Sequence, residues 1–256
     1  MKPLALYWSS SKPNFGDALS PLICARVSGR EVVWAPPGRC DVVALGSLMQ
    51  RFKEHWWTRR VHVWGTGFIE HPPAHASRHH YHAVRGRLTQ AAISGLKQEV
   101  ALGDPGLLAP LLVEDRPAPA RRCRVLVIPH YKDKGNAALA ELAARVPGVE
   151  VADIFAPATT LLEQIRAAEV VLSSAMHGLI AADSLGVPNA WLKLSDAVRG
   201  GDFKFNDYYS VFGFAATPLA LSEPLLRDPS AVVAQYRRPG LADIQERLMR
   251  SFPDGV

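Results

Sequence analysis

The chain is predicted to be an α/β protein of two Rossmann-like domains facing each other across a cleft. Short apolar runs alternate with helix-like segments, and this rhythm restarts after a proline- and charge-rich stretch near the middle. Nearly every apolar run also ends in glycine, a charged residue or a histidine. Alternating β and α elements build parallel sheets with helices on both faces. The 256 residues suffice for one large domain or two of about 110–130 residues. The expected division is an N-terminal unit over 1–115, a C-terminal unit over 120–235, and a helix in 236–256 that packs back on the first unit.

In order, LALYW (4–8) reads as a strand followed by the loop SSSKPNFG. From Asp17 a helical pattern places Leu19, Leu22, Ile23 and Val27 on one side, and Gly29 closes it. VVW (32–34), VVAL (42–45), VHVW (61–64) and YHAV (81–84) are further strands. A helix over 88–96 lies between Gly86 and Gly95, and VAL (100–102) is a strand ending at GDPG. VEDRPAPARRCR (113–124) reads as a linker.

The second half repeats the pattern. VLVIP (125–129) is a strand, 136–145 an Ala/Leu helix and VEVAD (149–153) a strand. Thr159 or Thr160 can cap a helix carrying Leu161, Leu162, Ile165 and Ala168. VVLS (170–173) is a strand, 176–185 a helix with Gly186 just past its end, and NAWLKL (189–194) a strand. GGDFKFNDYYS (200–210) reads as a flexible loop over the cleft, and 241–252 as an amphipathic helix.

Composition excludes several classes. Hydrophobic residues make up 48% and charged residues 21%, an ordinary globular balance. The net charge of +5 and pI near 9.2 fit an anionic substrate, or attraction to an anionic membrane surface. No Lys/Arg stripe interleaved with aromatics marks a nucleic-acid surface. Cys24, Cys40 and Cys123 form neither a CxxC pair nor a disulfide framework. The N-terminal apolar run is too short for a signal peptide, and none approaches the ~18 residues of a spanning helix. A cytoplasmic protein is expected, with peripheral membrane contact at most.

Open parallel sheets bind ligands beyond the carboxyl ends of their strands. The residues there are Asn14, Gly16 and Asp17, then Gly46 and Ser47, then Gly65 and Gly67. Arg85, Asp104, His130, Ser174 and His177 follow. Glycine lets backbone approach a ligand closely, and helix N-termini attract anions. Several of these residues have plain structural readings too: Asp17 as a helix cap, Asp104 as a turn residue, His130 as a loop histidine, His177 as a packed one. Arg85 after an apolar strand must meet water, a carboxylate or a bound anion. Lys204 can hold an anion and Asp207 a sugar hydroxyl, while Tyr208 and Tyr209 suit sugar faces. His71, His75, His79, His80 and His82 sit beside Pro72 and Pro73 without cysteine or carboxylate among them. They read as an exposed loop running into a strand, and no metal site is expected.

An ordered set of motifs, NFGDALSP, GTG, AVRG, LGDPGLLAP, IPHY, SSAMHGLIAADSLGVP and DFKFNDYYSVFG, spans about residues 14–213. The set resembles the polysaccharide pyruvyl transferase family, in particular its bacterial exopolysaccharide ketal transferases. The resemblance implies a GT-B-like two-domain fold and phosphoenolpyruvate as donor. The acceptor would be a terminal hexose of a glycan, including a lipid-linked one, and the product a cyclic pyruvate ketal with release of phosphate. No cofactor is expected beyond the co-substrate phosphoenolpyruvate. His177 and Asp17 would then be catalytic, and Arg85, Lys204, Ser174 and His130 would hold the donor. Asn14, Gly16, Gly65, Gly67, Asp104, Asp207 and Tyr208 would line the acceptor side. Many members carry Arg-x-His where this chain has Ala175-Met176-His177, so Lys204 is the expected substitute for that arginine. The competing readings are a GT-B glycosyltransferase using a nucleotide sugar and a non-catalytic sugar-binding protein of a polymer-assembly complex.

Overall fold

The computed structural model describes residues 2–10, 14–52, 54–73, 75–96 and 99–256; residues 11–13 of the predicted SSSKPNFG loop lie outside them. Apolar runs that are buried on both faces form parallel strands. The first six-stranded sheet has the order Val32–Trp34, Leu4–Tyr7, Val42–Val43, His62–Trp64, His80–Val84, Ala101–Leu102. All its pairings are parallel, with Leu6 opposite both Trp34 and Val42, and Val84 opposite Leu102. The second sheet runs Val149–Val151, Cys123–Ile128, Ala168–Ser173, Asn189–Lys193, Leu219–Ala220, again all parallel. In each sheet the strand that starts the unit lies between the second and third. The winding therefore reverses there and opens a crevice at the strand ends.

One apolar core joins the two sheets. Leu6, Phe15, Leu19 and Leu107 from the first half pack in the same cluster as Ile128, Leu161, Ile165 and Ile180 from the second. The helix Phe15–Ser28 and the 3₁₀ segment Pro105–Leu112 contribute to this shared core. Asn14 caps that helix by accepting from the Gly16 and Asp17 amides at 3.1 and 3.4 Å, and Gly29 ends it in the left-handed conformation. The cap is thus Asn14, and Asp17 sits in the first turn. In the helix Ala158–Arg166 the cap position belongs to Pro157, so Thr159 and Thr160 lie inside the helix rather than before it.

The segment read as a flexible loop is instead a buried helix, Phe203–Tyr209. It straddles both halves. Phe205 stacks on Trp191 of the second sheet with centroids 4.0 Å apart, and the Tyr208 hydroxyl donates to Asp183 at 2.7 Å. Toward the first sheet, Asp207 receives Arg85 Nε at 2.9 Å and the Thr89 amide and hydroxyl at 2.8 and 2.7 Å. Arg85 and Asp207 are both fully buried. Gly86 makes this approach possible, because a Cβ there would stand 1.8 Å from the Asp207 carbonyl oxygen.

The final helix, Leu241–Arg250, returns to the first sheet. Trp64 Nε1 donates to the Leu248 carbonyl at 3.0 Å, and the Trp64 ring meets Phe252 edge-on. Gln245 adds a bond to the Leu107 carbonyl at 2.8 Å. Among the described residues no helix is long and apolar enough to cross a membrane.

Removing one member of a buried ion pair strands the other charge away from water. Asp207→Ala is therefore expected to lower the free energy of urea unfolding by about 3–5 kcal/mol. The double variant Arg85→Met/Asp207→Leu should recover much of that loss. An unchanged unfolding midpoint in the single variant would contradict a structural role for the pair.

Candidate functional site

The two crevices open on one cleft of about 420 Å³. The first sheet supplies Asn14, Gly16 and Asp17 beyond its first strand and Gly46 beyond Val42–Val43. The second supplies His130 beyond Cys123–Ile128, and Ala175, Met176 and His177 beyond Ala168–Ser173. Lys204 enters from the bridging helix.

His177 is the second residue of the helix Met176–Ser184. Its ring slots between two glycine backbones: a Cβ on Gly16 would lie 2.1 Å from Nδ1, and one on Gly46 3.5 Å from Cε1. Nε2 lies 3.7 Å from Asp104 Oδ2 and makes no hydrogen bond. Asp104 is itself held fast. Its Oδ1 caps the 3₁₀ segment by accepting from the Gly106 amide at 2.8 Å, and its Oδ2 accepts from the Gly46 amide at 3.2 Å. Asp104, read from sequence as a turn residue, does bond the Gly106 amide, and the same carboxylate faces the imidazole.

Asp17 flanks His177 from the first half. Burial pushes its carboxyl up to about 6, although the nearby His177 and a 2.7 Å hydrogen bond from Asn14 pull the other way. A carboxyl near neutrality can both accept and give a proton at working pH.

The wall around the bridging helix is cationic. Lys204 is 7% exposed, and among the described residues its ammonium has neither hydrogen-bond nor ion-pair partner. Burial, helped by the Arg85 and Lys132 charges, brings it down to about 8. His130 is lowered to about 4 by burial and then by Lys204, so its imidazole is neutral at pH 7. Its Nδ1 accepts from the Lys132 amide at 3.3 Å, which leaves Nε2 as the donor. Lys132, Arg51 and Arg199 complete the lining on the cationic side, with Lys132 Nζ bonded to the Ala197 carbonyl at 2.8 Å.

Other predicted site residues stand behind the cleft. Arg85 does not line it: its guanidinium spends its donors on Asp207, Ser47 and the carbonyls of Gly46 and Phe68. Arg85 and His177 nonetheless approach the same residue, Gly46, from different sides. Asp207 and Tyr208, expected at a sugar, are buried in contacts with Arg85 and Asp183. Ser174, expected at the donor, is not among the cleft-lining residues: its hydroxyl donates to Asp133 at 2.6 Å and accepts from the His130 amide at 2.8 Å. Gly65 packs on Pro105, and Gly67 on the Arg85 guanidinium. Among the described residues no group of three or more His, Cys, Asp or Glu is placed to hold a metal.

Sequence reading missed Arg51, Lys132 and Arg199 as lining residues, whereas Ser47, placed at a strand end, does line the cleft. Lys132 had a signal, lying two residues after His130 beyond the same strand. Arg51 and Arg199 had none, being surface-like arginines whose place depends on the fold.

The sequence profile of the polysaccharide pyruvyl transferase family matches residues 6–196. A succinoglycan biosynthesis protein, ExoV of Rhizobium meliloti, is 27% identical over 235 residues, 85% of this chain and 67% of that protein. An uncharacterized protein, L143 of Acanthamoeba polyphaga mimivirus, is 32% identical over 137 residues, 52% of this chain. This match spans about half, 48%, of the mimivirus protein. A functionally uncharacterized protein of Klebsiella pneumoniae has 10% identity and a TM-score of 0.46, over 86% of this chain and 93% of that one. With the profile covering most of its length, the chain belongs to the polysaccharide pyruvyl transferase family.

Proposed function

We propose that the protein transfers the pyruvyl group of phosphoenolpyruvate to two hydroxyls of a terminal hexose on a glycan, closing a cyclic ketal and releasing phosphate. The observation that carries this reading is His177, held between Asp17 and Asp104 and open to a cleft that Lys204, His130 and Lys132 line. That arrangement puts proton-transfer groups beside a site suited to a small anion. Family membership supports the pyruvyl group as what is moved.

In this mechanism Lys204 and the Nε2–H of His130 bind the phosphate and carboxylate of the donor. His177 gives a proton to the methylene carbon, making the former enol carbon electrophilic. The first sugar hydroxyl adds to that carbon, and Asp17 takes its proton. The carbon–oxygen bond to phosphate then breaks. The second hydroxyl closes the ring, and its proton leaves with phosphate. Asp17 then passes the first hydroxyl's proton to His177, so the enzyme returns to its starting state and the two hydroxyl protons are accounted for by the new methyl group and by phosphate. Asp104 positions the imidazole without touching substrate.

His177→Ala is expected to lower kcat by about 10²–10⁴-fold with an unchanged unfolding midpoint. The assay is phosphate release from phosphoenolpyruvate with a panel of hexosides, read by mass. Release of a nucleoside diphosphate from a sugar nucleotide instead would overturn the reading.

The donor kcat/KM should be bell-shaped in pH. It falls below about 6 as Asp17 gains its proton and above about 8 as Lys204 loses its own. Lys204→Arg should move only the alkaline limb upward, and Asp17→Asn should remove the acid limb at a reduced rate. Two unmoved limbs would take both residues out of the site.

Gly16→Ala forces a methyl into the ring of His177. A kcat loss approaching that of His177→Ala is expected, with donor KM little changed. Full activity would show that the ring position is not critical.

A further inference from the structure

We propose that the turn His55–Thr58 is a membrane-docking element that carries Trp56 and Trp57 into the headgroup region of an anionic bilayer. Trp56 is 80% exposed and Trp57 66%, well above the other large apolar side chains among the described residues. Exposed aromatic area of this kind is costly in water and marks an interaction surface.

The turn is built to display these rings. The Thr58 amide donates to the His55 carbonyl at 3.0 Å, and the His55 amide donates to the Thr58 hydroxyl at 3.1 Å. Its base is fastened by Glu54, which accepts from the Ser77 hydroxyl and the Arg78 amide, and by Arg78, which donates to the His55 carbonyl at 2.6 Å. The indoles are therefore held outward by hydrogen bonds rather than left loose.

Ring geometry argues against a sugar platform. The two indoles stand at 90° to each other, and His55 lies parallel on one face of Trp57 at 4.7 Å. A sugar ring stacks on a broad open face, which this pair does not offer. Charge argues for anionic lipid. RFKEHWWTRR (51–60) holds four Lys/Arg and one Glu, and that Glu is already engaged by Ser77 and Arg78. Arg51, Arg59, Arg60 and Arg78 are exposed around the turn. Indoles favour the membrane interface, and nearby cations add attraction to anionic lipid. Arg51 also lines the catalytic cleft, so the docking turn begins beside it.

The benefit of docking rests on the proposed reaction, since a glycan acceptor carried on a lipid would be met at the bilayer. The binding itself needs no turnover, so its test stands apart from that of the donor. Flotation is measured with vesicles of phosphatidylcholine alone and of phosphatidylcholine mixed equally with phosphatidylglycerol. The unmodified protein should float with the mixed vesicles and not with the neutral ones, less so at high salt. Trp56→Ser/Trp57→Ser should weaken that binding by about tenfold or more, and Arg60→Glu should weaken it less. Both variants should keep the unfolding midpoint and the activity on a soluble acceptor. Equal flotation with both vesicle types, or full binding by the double Trp variant, would overturn the proposal. So would a double variant that keeps vesicle binding and loses affinity for a soluble polysaccharide. Vesicle binding that persists with a donor other than phosphoenolpyruvate would leave the docking inference standing and remove only the reaction.

Discussion

The architecture depends on one buried ion pair, Arg85 with Asp207. Each charge offsets the desolvation cost of burying the other, together with the hydrogen bonds around them. Together they fix a short helix from the second half against the first sheet. That helix then turns Phe205 onto Trp191 and Lys204 into the cleft. Two motifs that look like ligand-binding signatures, AVRG and FKFNDYY, are in large part partners of each other. Their effect on the site comes through position: the pair sets where Lys204 stands.

Within the cleft, burial rather than charge pairing decides most proton affinities. Asp17 rises despite a nearby imidazole and a hydrogen bond that favour its ionised form. Lys204 and His130 both fall, chiefly through burial and then through neighbouring cations. The outcome is a neutral imidazole and an ammonium on one wall, facing a carboxyl of moderate acidity on the other. Such a site holds its charge in reserve for an anion that supplies the missing counter-charge.

The sequence makes the sheets legible because strands buried on both faces are nearly continuous apolar runs, as in AEVVLS and CRVLVI. The positions of Asn14, Asp17, Asp104, His130 and His177 are legible for a related reason: ligand-facing residues follow strand ends. The bridging helix is not, since two glycines and several charges mimic a loop, and the contacts that bury it lie far away in the chain. Arg85 and Asp207 are separated by 122 residues. A charge after an apolar strand must find a partner, but local sequence does not say whether that partner is a ligand or a carboxylate. The same blindness hides Ser174, whose hydroxyl serves Asp133 and the His130 amide instead of the cleft.

The helix Leu241–Arg250 folds over Trp64, the large indole in the middle of the first sheet. A segment 184 residues further along the chain thus completes the hydrophobic cover of the first sheet. A nascent chain would carry Trp64 uncovered until residues 241–252 had emerged, so the first sheet cannot reach its final packing while only the N-terminal half has been made. Cleavage before this helix would likewise be felt in the opposite half of the molecule, where an indole would lose both its hydrogen-bond acceptor and the Phe252 ring against it.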